Sequence, residues 1–503
     1  MDATPRARLV TARSMLAAAL LVAAAPLPAQ APPLRVEPYT VRSYDGRSEQ
    51  AELGTLTVPE SRGRPGAATV TLAFLRLKST SSTPASPIVF LMGGPGIPAT
   101  VMAPIPPYFE LFERLRATAD VILVDQRGNG RSSPSLDCPA PLSPPDADLL
   151  TSRAALVEAY RRAYVACAAY WRGRGVEPRD FGLDASADDL DDLRRALGAE
   201  RLSLLAFSYG TRLALDYARR HPSRLDRMVL QGPETPDLRY RSPAQLDALF
   251  GRLADFAAAD SASAPFSTDL RGRLAALLAA LARVPDTVRV RSPGGDSVNL
   301  AVGPEGLAAI VAEHEADPRL PALVATLERG DTRLLAQRAA AIYAGVASGG
   351  GSLMARAAEC STPASDARVA AVAHEAAGSL LGVPYDDGVV IRAFCSSLGM
   401  AGRPWPDAGP GPRAFRGPAL VIVGDLDTQT PMSNAAVVAR ALPGSATLVV
   451  ANGKHELLTQ SVVQDAVADF FAGHDASGRR LRVDPPRFLS IQEALQPPRR
   501  PGS

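Results

Sequence analysis

Lysine is almost missing from this chain. Lys78 and Lys454 are the only two in 503 residues, so arginine carries nearly all of the positive charge. Together with the abundance of alanine and proline, this is a compositional bias and not a functional signal. Net charge is missing as well. The formal total is +2, and Arg6, Arg8 and Arg13 against Asp2 account for all of it within residues 1–31. The remainder is formally neutral, which leaves no basic patch to argue for a nucleic-acid partner. Beyond the N-terminal segment, no apolar run is long enough to span a bilayer as a helix. Cysteine is limited to Cys138, Cys167, Cys360 and Cys395. None stands in a C-x-x-C pair, so a metal or thiol-redox site is not expected, and no cofactor is implied. Internal repeats are absent. What remains is an ordinary globular composition, long enough for one large domain or two lobes.

The N-terminus carries the three-part pattern of an export signal. Arg6, Arg8 and Arg13 form a basic region, Met15 to Ala25 is apolar but too short to span a membrane comfortably, and Ala29-Gln-Ala31 resembles a cleavage site. Pro32 directly after it is unfavourable for cleavage, which leaves the exact cut open. The expectation is a secreted or periplasmic protein, without stable membrane insertion once residues 1–31 are removed. In such an oxidising compartment an even cysteine count suggests two disulfides. Four cysteines allow three pairings. Proximity in sequence favours Cys138–Cys167 and Cys360–Cys395, with free buried thiols as the alternative.

Short apolar runs then alternate with helical patterns. Residues 68–78 alternate as a half-buried strand does. Runs at 87–92, 119–124, 202–206 and 227–230 read as buried parallel strands, several ending in glycine-bearing loops. Ligands bind at the C-terminal edge of such sheets. From about Asp237 to Ala408 the pattern becomes mainly helical, interrupted by one strand-like patch at 287–302, and reads as an inserted cap. Strands resume at 418–423 and 446–450, and 462–471 closes as a helix. The Arg/Pro-rich tail from Arg479 is expected on the surface or partly disordered. The expected organisation is a leader over 1–31, a core over 32–236 and 409–478, a cap over 237–408 and a tail over 479–503.

The chemistry gathers at strand ends. Ser208 follows the run 202–206 within Ala206-Phe-Ser-Tyr-Gly210 and precedes a helix-like stretch. A serine on a sharp strand-to-helix turn, flanked at two positions by small residues, has the form of a nucleophile elbow. An elbow demands an acid and then a histidine after later strands. Asp427 follows the strand at 418–423, and His455 follows the strand at 446–450. Asp425 is the competing acid, but it lies nearer the strand end and suits a turn cap. Of the five histidines only His455 follows a late strand. Serine becomes a nucleophile when a base takes its proton, and His455 serves if an acid fixes its tautomer. The oxyanion needs two backbone N–H donors. Tyr209, directly after the nucleophile, supplies one. Gly94 in Gly93-Gly-Pro-Gly96 supplies the other, with Gly93 as the alternative. Asp125 and Arg127 are expected to pair and brace that loop.

The motifs Gly-Gly-Pro-Gly, Asp-Gln-Arg-Gly-x-Gly-x-Ser, Ser-Tyr-Gly-Thr and Gly-Asp-x-Asp-x-x-Thr-Pro resemble those of α/β-hydrolase peptidases of the prolyl iminopeptidase and tripeptidyl aminopeptidase type. The resemblance runs from about residue 50 to 475 and includes cap fragments such as 318–324 and 329–331. Met92 stands where the iminopeptidase branch has histidine, and the cysteine positions also look like those of the secreted tripeptidyl branch. The resemblance implies an α/β-hydrolase fold with a mostly parallel central sheet flanked by helices and an inserted helical cap. It implies Ser208, Asp427 and His455 as a triad acting on short peptides with free N-termini. It also implies acidic cap residues that hold the substrate amine, for which Glu234, Glu313 and Glu315 are candidates by location. Two departures stand out. Ala206 replaces the usual glycine and is small enough. Glu456 follows the histidine where a small residue is usual, which bears on substrate preference. An esterase or lactonase of the same fold, acting on small esters, is the alternative function, because fold and triad do not separate the two. A non-catalytic binding protein is a third reading, disfavoured by the complete constellation.

Overall fold

The computed structural model describes residues 33–139, 145–313, 317–347, 351–383, 392–402, 405 and 415–496. The expected leader therefore lies outside the described residues. Three antiparallel strands open the chain: β1 (Leu34–Arg42), β2 (Ser48–Pro59) and β3 (Thr69–Leu77). The parallel strands follow: β4 (Ile88–Leu91), β5 (Val121–Asp125), β6 (Leu202–Phe207) and β7 (Leu225–Gln231). A separate antiparallel hairpin, β8 (Asp286–Arg291) and β9 (Ser297–Val302), accounts for the expected strand-like patch. The parallel sheet resumes with β10 (Ala419–Gly424), β11 (Ala446–Ala451) and β12 (Leu481–Arg482).

Ten of these strands form one sheet in the order β1-β2-β3-β5-β4-β6-β7-β10-β11-β12. β4 lies between β5 on one side and β6 on the other, so the chain reverses direction across the sheet at β4. The crevice at such a switch point, outside the carboxyl ends of the strands, is where ligands bind in α/β sheets. β4, β5, β6 and β10 are buried along their whole length, which is why their sequences read as unbroken apolar runs. Successive residues still part to opposite faces. Leu202, Leu204 and Ala206 join one core, and Leu205 and Phe207 join the other.

A third apolar core lies around the hairpin and the helices Leu270–Arg283, Leu320–Leu327 and Arg333–Ala347. It also takes Leu149, Leu150, Leu156 and Ala494 from outside residues 237–408. Conversely, Leu353, Met354, Ala357 and Cys360, from the helix Leu353–Ser361, pack with the sheet. The described part of the tail lies along the surface and is anchored there. β12 pairs with β11, the Leu489 N–H donates to the Pro318 carbonyl at 2.9 Å, and Leu489, Ile491 and Leu495 pack on the third core. Apolar residues spaced between the arginines and prolines anchor it. Disulfides join Cys138 to Cys167 and Cys360 to Cys395, with Cα–Cα distances of 5.3 and 5.5 Å. Among the described residues no helix is long and apolar enough to cross a membrane.

Candidate active site

Ser208 stands between β6 and the helix Tyr209–Arg220, with φ 54° and ψ −124°. A non-glycine residue at positive φ is strained, and strain of this kind persists where the surroundings over-determine it. The surroundings here are close. A Cβ on Gly210 would stand 2.1 Å from the Leu91 carbonyl oxygen, and a Cβ on Gly93 would stand 2.8 Å from the Ser208 Cβ. The turn therefore admits no side chain at either glycine. The Ser208 N–H donates to the Gln231 carbonyl at 2.9 Å, and the Thr211 hydroxyl donates to the Ser208 carbonyl at 2.6 Å. The side chain is left free to point at the crevice edge.

Ser208 Oγ lies 3.0 Å from His455 Nε2. His455 Nδ1 lies 2.9 and 3.1 Å from the two oxygens of Asp427. A carboxylate only accepts, so Nδ1 carries the proton and Nε2 is left to accept from Ser208. Asp427 is held by its own turn: the N–H groups of Gln429 and Thr430 donate to Oδ1 at 2.8 Å, and the Thr430 hydroxyl donates to Oδ2 at 2.6 Å. Burial pushes the Asp427 carboxyl up, but His455 and these donors outweigh it, and its pKa lies below the ordinary value. For His455 burial opposes the charge, yet the ion pair and hydrogen bond to Asp427 win, and its pKa is raised above 6.5. Asp425 is engaged elsewhere, 3.0 Å from Arg252 Nη2.

Tyr209 is the first residue of its helix, where an N–H has no acceptor in the preceding turn, and Gly94 lies in the loop just past β4. Gly94 has φ +117°, a conformation that favours glycine. The loop is braced, but not by the expected pair. Asp125 accepts from the Thr100 N–H at 2.9 Å, the Thr100 hydroxyl at 2.8 Å and the Arg131 N–H at 2.9 Å. Arg127 points elsewhere and makes a two-pronged bond to Asp189, at 2.7 and 2.6 Å. Both Asp125 oxygens are already engaged by these donors, whereas Asp189 offers Arg127 the two parallel bonds that a guanidinium matches on a carboxylate.

Glu234 is 2% exposed and lies 3.5 Å from Arg212 Nε, on the helix that follows Ser208. Burial pushes its carboxyl up, with Arg212 and Arg239 opposing. Burial outweighs the two arginines, so the Glu234 carboxyl is raised above its ordinary pKa; Arg212 also meets Glu359, at 3.0 Å. The Glu313 side chain and Glu315 lie outside the described residues. Among the described residues no group of His, Cys, Asp and Glu is arranged to hold a metal ion.

Several contributors escape sequence reading. Gln231 binds both halves of the site: its carbonyl accepts from Ser208, and its Nε2 donates to the His455 carbonyl at 2.9 Å. Its signal in the sequence is a polar residue closing the buried run Met228–Leu230. Gly232 follows at φ +64°, and a Cβ there would stand 2.8 Å from Thr430 Oγ1. Tyr108 donates to Glu456 Oε2 at 2.7 Å, from a helix distant in sequence.

Comparisons with known proteins bear on the fold and family. The alpha/beta hydrolase fold family matches residues 86–461. Serine protease Hip1 of Mycobacterium tuberculosis (strain CDC 1551 / Oshkosh) is 30% identical over 190 residues, covering 37% of this chain and 36% of that protein. The putative hydrolase YuaR of Escherichia coli (strain K12) is 30% identical over 172 residues, covering 32% and 31%. Tripeptidyl aminopeptidase of Streptomyces coelicolor is 29% identical over 222 residues, covering 41% and 40%. The chain thus spans well under half the length of the curated relatives it matches. With the family matched over most of the chain and a largely parallel sheet that carries serine, acid and histidine past the ends of β6, β10 and β11, the chain belongs to the alpha/beta hydrolase fold family.

Proposed function

We propose that this hydrolase is an exported serine aminopeptidase that releases short peptides or single residues from free N-termini through an acyl-enzyme. The observation that carries the reading is the continuous line from Asp427 through His455 to Ser208, with contacts of 2.9 and 3.0 Å. Ser208 Oγ attacks the scissile carbonyl while its proton passes to His455 Nε2. Negative charge develops on the carbonyl oxygen, and the N–H groups of Gly94 and Tyr209 receive it. His455 then gives its proton to the leaving amine, and the ester on Ser208 is cleaved by water that His455 deprotonates. Asp427 stabilises the imidazolium in both halves. The peptide preference is supported by the serine protease and tripeptidyl aminopeptidase relatives. Export is supported by the two disulfides, which persist in oxidising compartments.

The test compares release of a chromogenic amine from free and N-blocked di- and tripeptides, with small esters alongside. Free N-termini are expected to be preferred. Ser208→Ala is expected to lose activity by at least about 10³-fold while remaining folded. Turnover of esters alone would sink the aminopeptidase reading. Activity unchanged in Ser208→Ala would sink the mechanism.

A further inference from the structure

Glu456 places a second carboxylate directly after the base. Its Oε2 accepts from the Tyr108 hydroxyl at 2.7 Å, and its Oε1 accepts from the Leu458 N–H at 3.1 Å. Tyr108 lies on the helix Pro106–Leu115, which begins ten residues after Gly96 of the oxyanion loop. That helix is tied to the His455 loop a second time. Gln464 Nε2 donates to the carbonyls of Pro107 and Leu458, each at 2.8 Å. Tyr108 itself is 3% exposed and packs against Phe90 of β4, with ring centroids 5.8 Å apart. The strut is therefore anchored in the strand that leads into the oxyanion loop.

This inference rests on His455 acting as the general base. We infer that Glu456, held by Tyr108, is a positioning residue that locks the His455 loop to the helix beyond the oxyanion loop and supplies a second negative charge to the imidazolium. The base and the Gly94 donor come from segments 361 residues apart in the chain, and the reaction depends on their mutual placement to within a fraction of an ångström. A strut between them holds that placement without touching substrate.

The groups facing His455 are consistent with the electrostatic half. Asp427 from the turn after β10, Glu456 from its own loop and Glu234 from the turn after β7 all favour its protonated form against burial. Lys454 on the same loop is held below its ordinary pKa by burial. Burial also raises the Glu456 carboxyl, with Tyr108 and His455 opposing.

The experiment titrates the His455 imidazole by NMR in the parent chain and in Glu456→Gln, with the resonance assigned by its loss in His455→Ala. Glutamine keeps the acceptor for Tyr108 and removes the charge. The His455 titration is expected to move down by about half a pH unit, a shift of the size one nearby charge produces. The acid limb of kcat/KM is expected to move with it. Tyr108→Phe, which removes the strut and keeps a fold-competent ring, is expected to lower kcat about threefold with KM unchanged, on peptide and ester alike. An unmoved His455 titration in folded Glu456→Gln, or unchanged kcat in Tyr108→Phe, would overturn the inference. So would a rise in KM confined to substrates with a free N-terminus, which would make Glu456 a substrate contact. The NMR titration needs no substrate, so ester-only turnover would remove the aminopeptidase reading and leave this inference to be judged on the imidazole.

Discussion

His455 is subject to two opposing effects of its position. Burial penalises the imidazolium, and the Asp427 carboxylate at 2.9 Å rewards it; the second wins and the pKa rises above 6.5. A general base works only when neutral, so kcat/KM is expected to fall as pH drops through this raised value. A profile of kcat/KM against pH checks it, and an acid limb at or below 6.5 would contradict it. The sign for stability is opposite. A raised folded pKa contributes stability below the unfolded value, and that contribution is lost as pH rises through the folded one. At this scale the sequence was legible where chemistry restricts the residue type. Serine, aspartate and histidine past three strand ends are few, and His455 stood apart from the other histidines. The surroundings of Glu234 were not legible in the same way: its position in the chain did not show that Arg212, one helical turn beyond Ser208, lies 3.5 Å from it.

The elbow works because neighbouring elements leave it no room. Gly210 opens the helix after Ser208 against the Leu91 carbonyl of β4, and a methyl group there would stand 2.1 Å from that oxygen. β4 is buried between β5 and β6 and has no space to yield. Gly210→Ala is therefore expected to destabilise the fold by about 3 kcal/mol, at the upper end for overpacking, and urea denaturation measures it. A variant with parental stability would show that the elbow relaxes. Ala206, two residues before the nucleophile, is fully buried and accommodated within β6. The central parallel strands were readable as elements because burial on both faces demands unbroken apolar runs. β1 and β2 were not. β1 is mostly exposed and carries Glu37 and Pro38, so neither alternation nor a run marks it. The brace on the oxyanion loop was half legible. Asp125 does hold the loop, through Thr100 and the Arg131 N–H, whereas Arg127 found a better-shaped partner in Asp189 on a helix 62 residues away.

Across the whole molecule, the two disulfides close loops with separations of 29 and 35 residues. Closing loops of that length restricts the unfolded chain and is worth about 4 kcal/mol each in the loop-entropy account. Thermal unfolding with and without a reductant is expected to show a lower midpoint on reduction, and an unchanged midpoint would contradict it. The Cys360–Cys395 bridge joins the helix Leu353–Ser361, which packs on the sheet, to the segment that leads back toward β10. Apolar packing likewise ignores the linear boundaries: residues 149–156 and the tail share a core with the helices of the insertion. A contiguous reading of the chain could not anticipate this, because burial is decided by neighbours in space. By itself the sequence determined the strand-to-helix turn at Ser208, the order of acid and base behind it and the parallel character of the central sheet. Each of these is a local demand of backbone geometry, burial or proton chemistry on residue type. Only the tertiary structure decided which charges meet. It gave Arg212 to Glu234, Asp189 to Arg127 and Tyr108 to Glu456, because an ion pair or hydrogen bond depends on distance and direction between elements far apart in the chain.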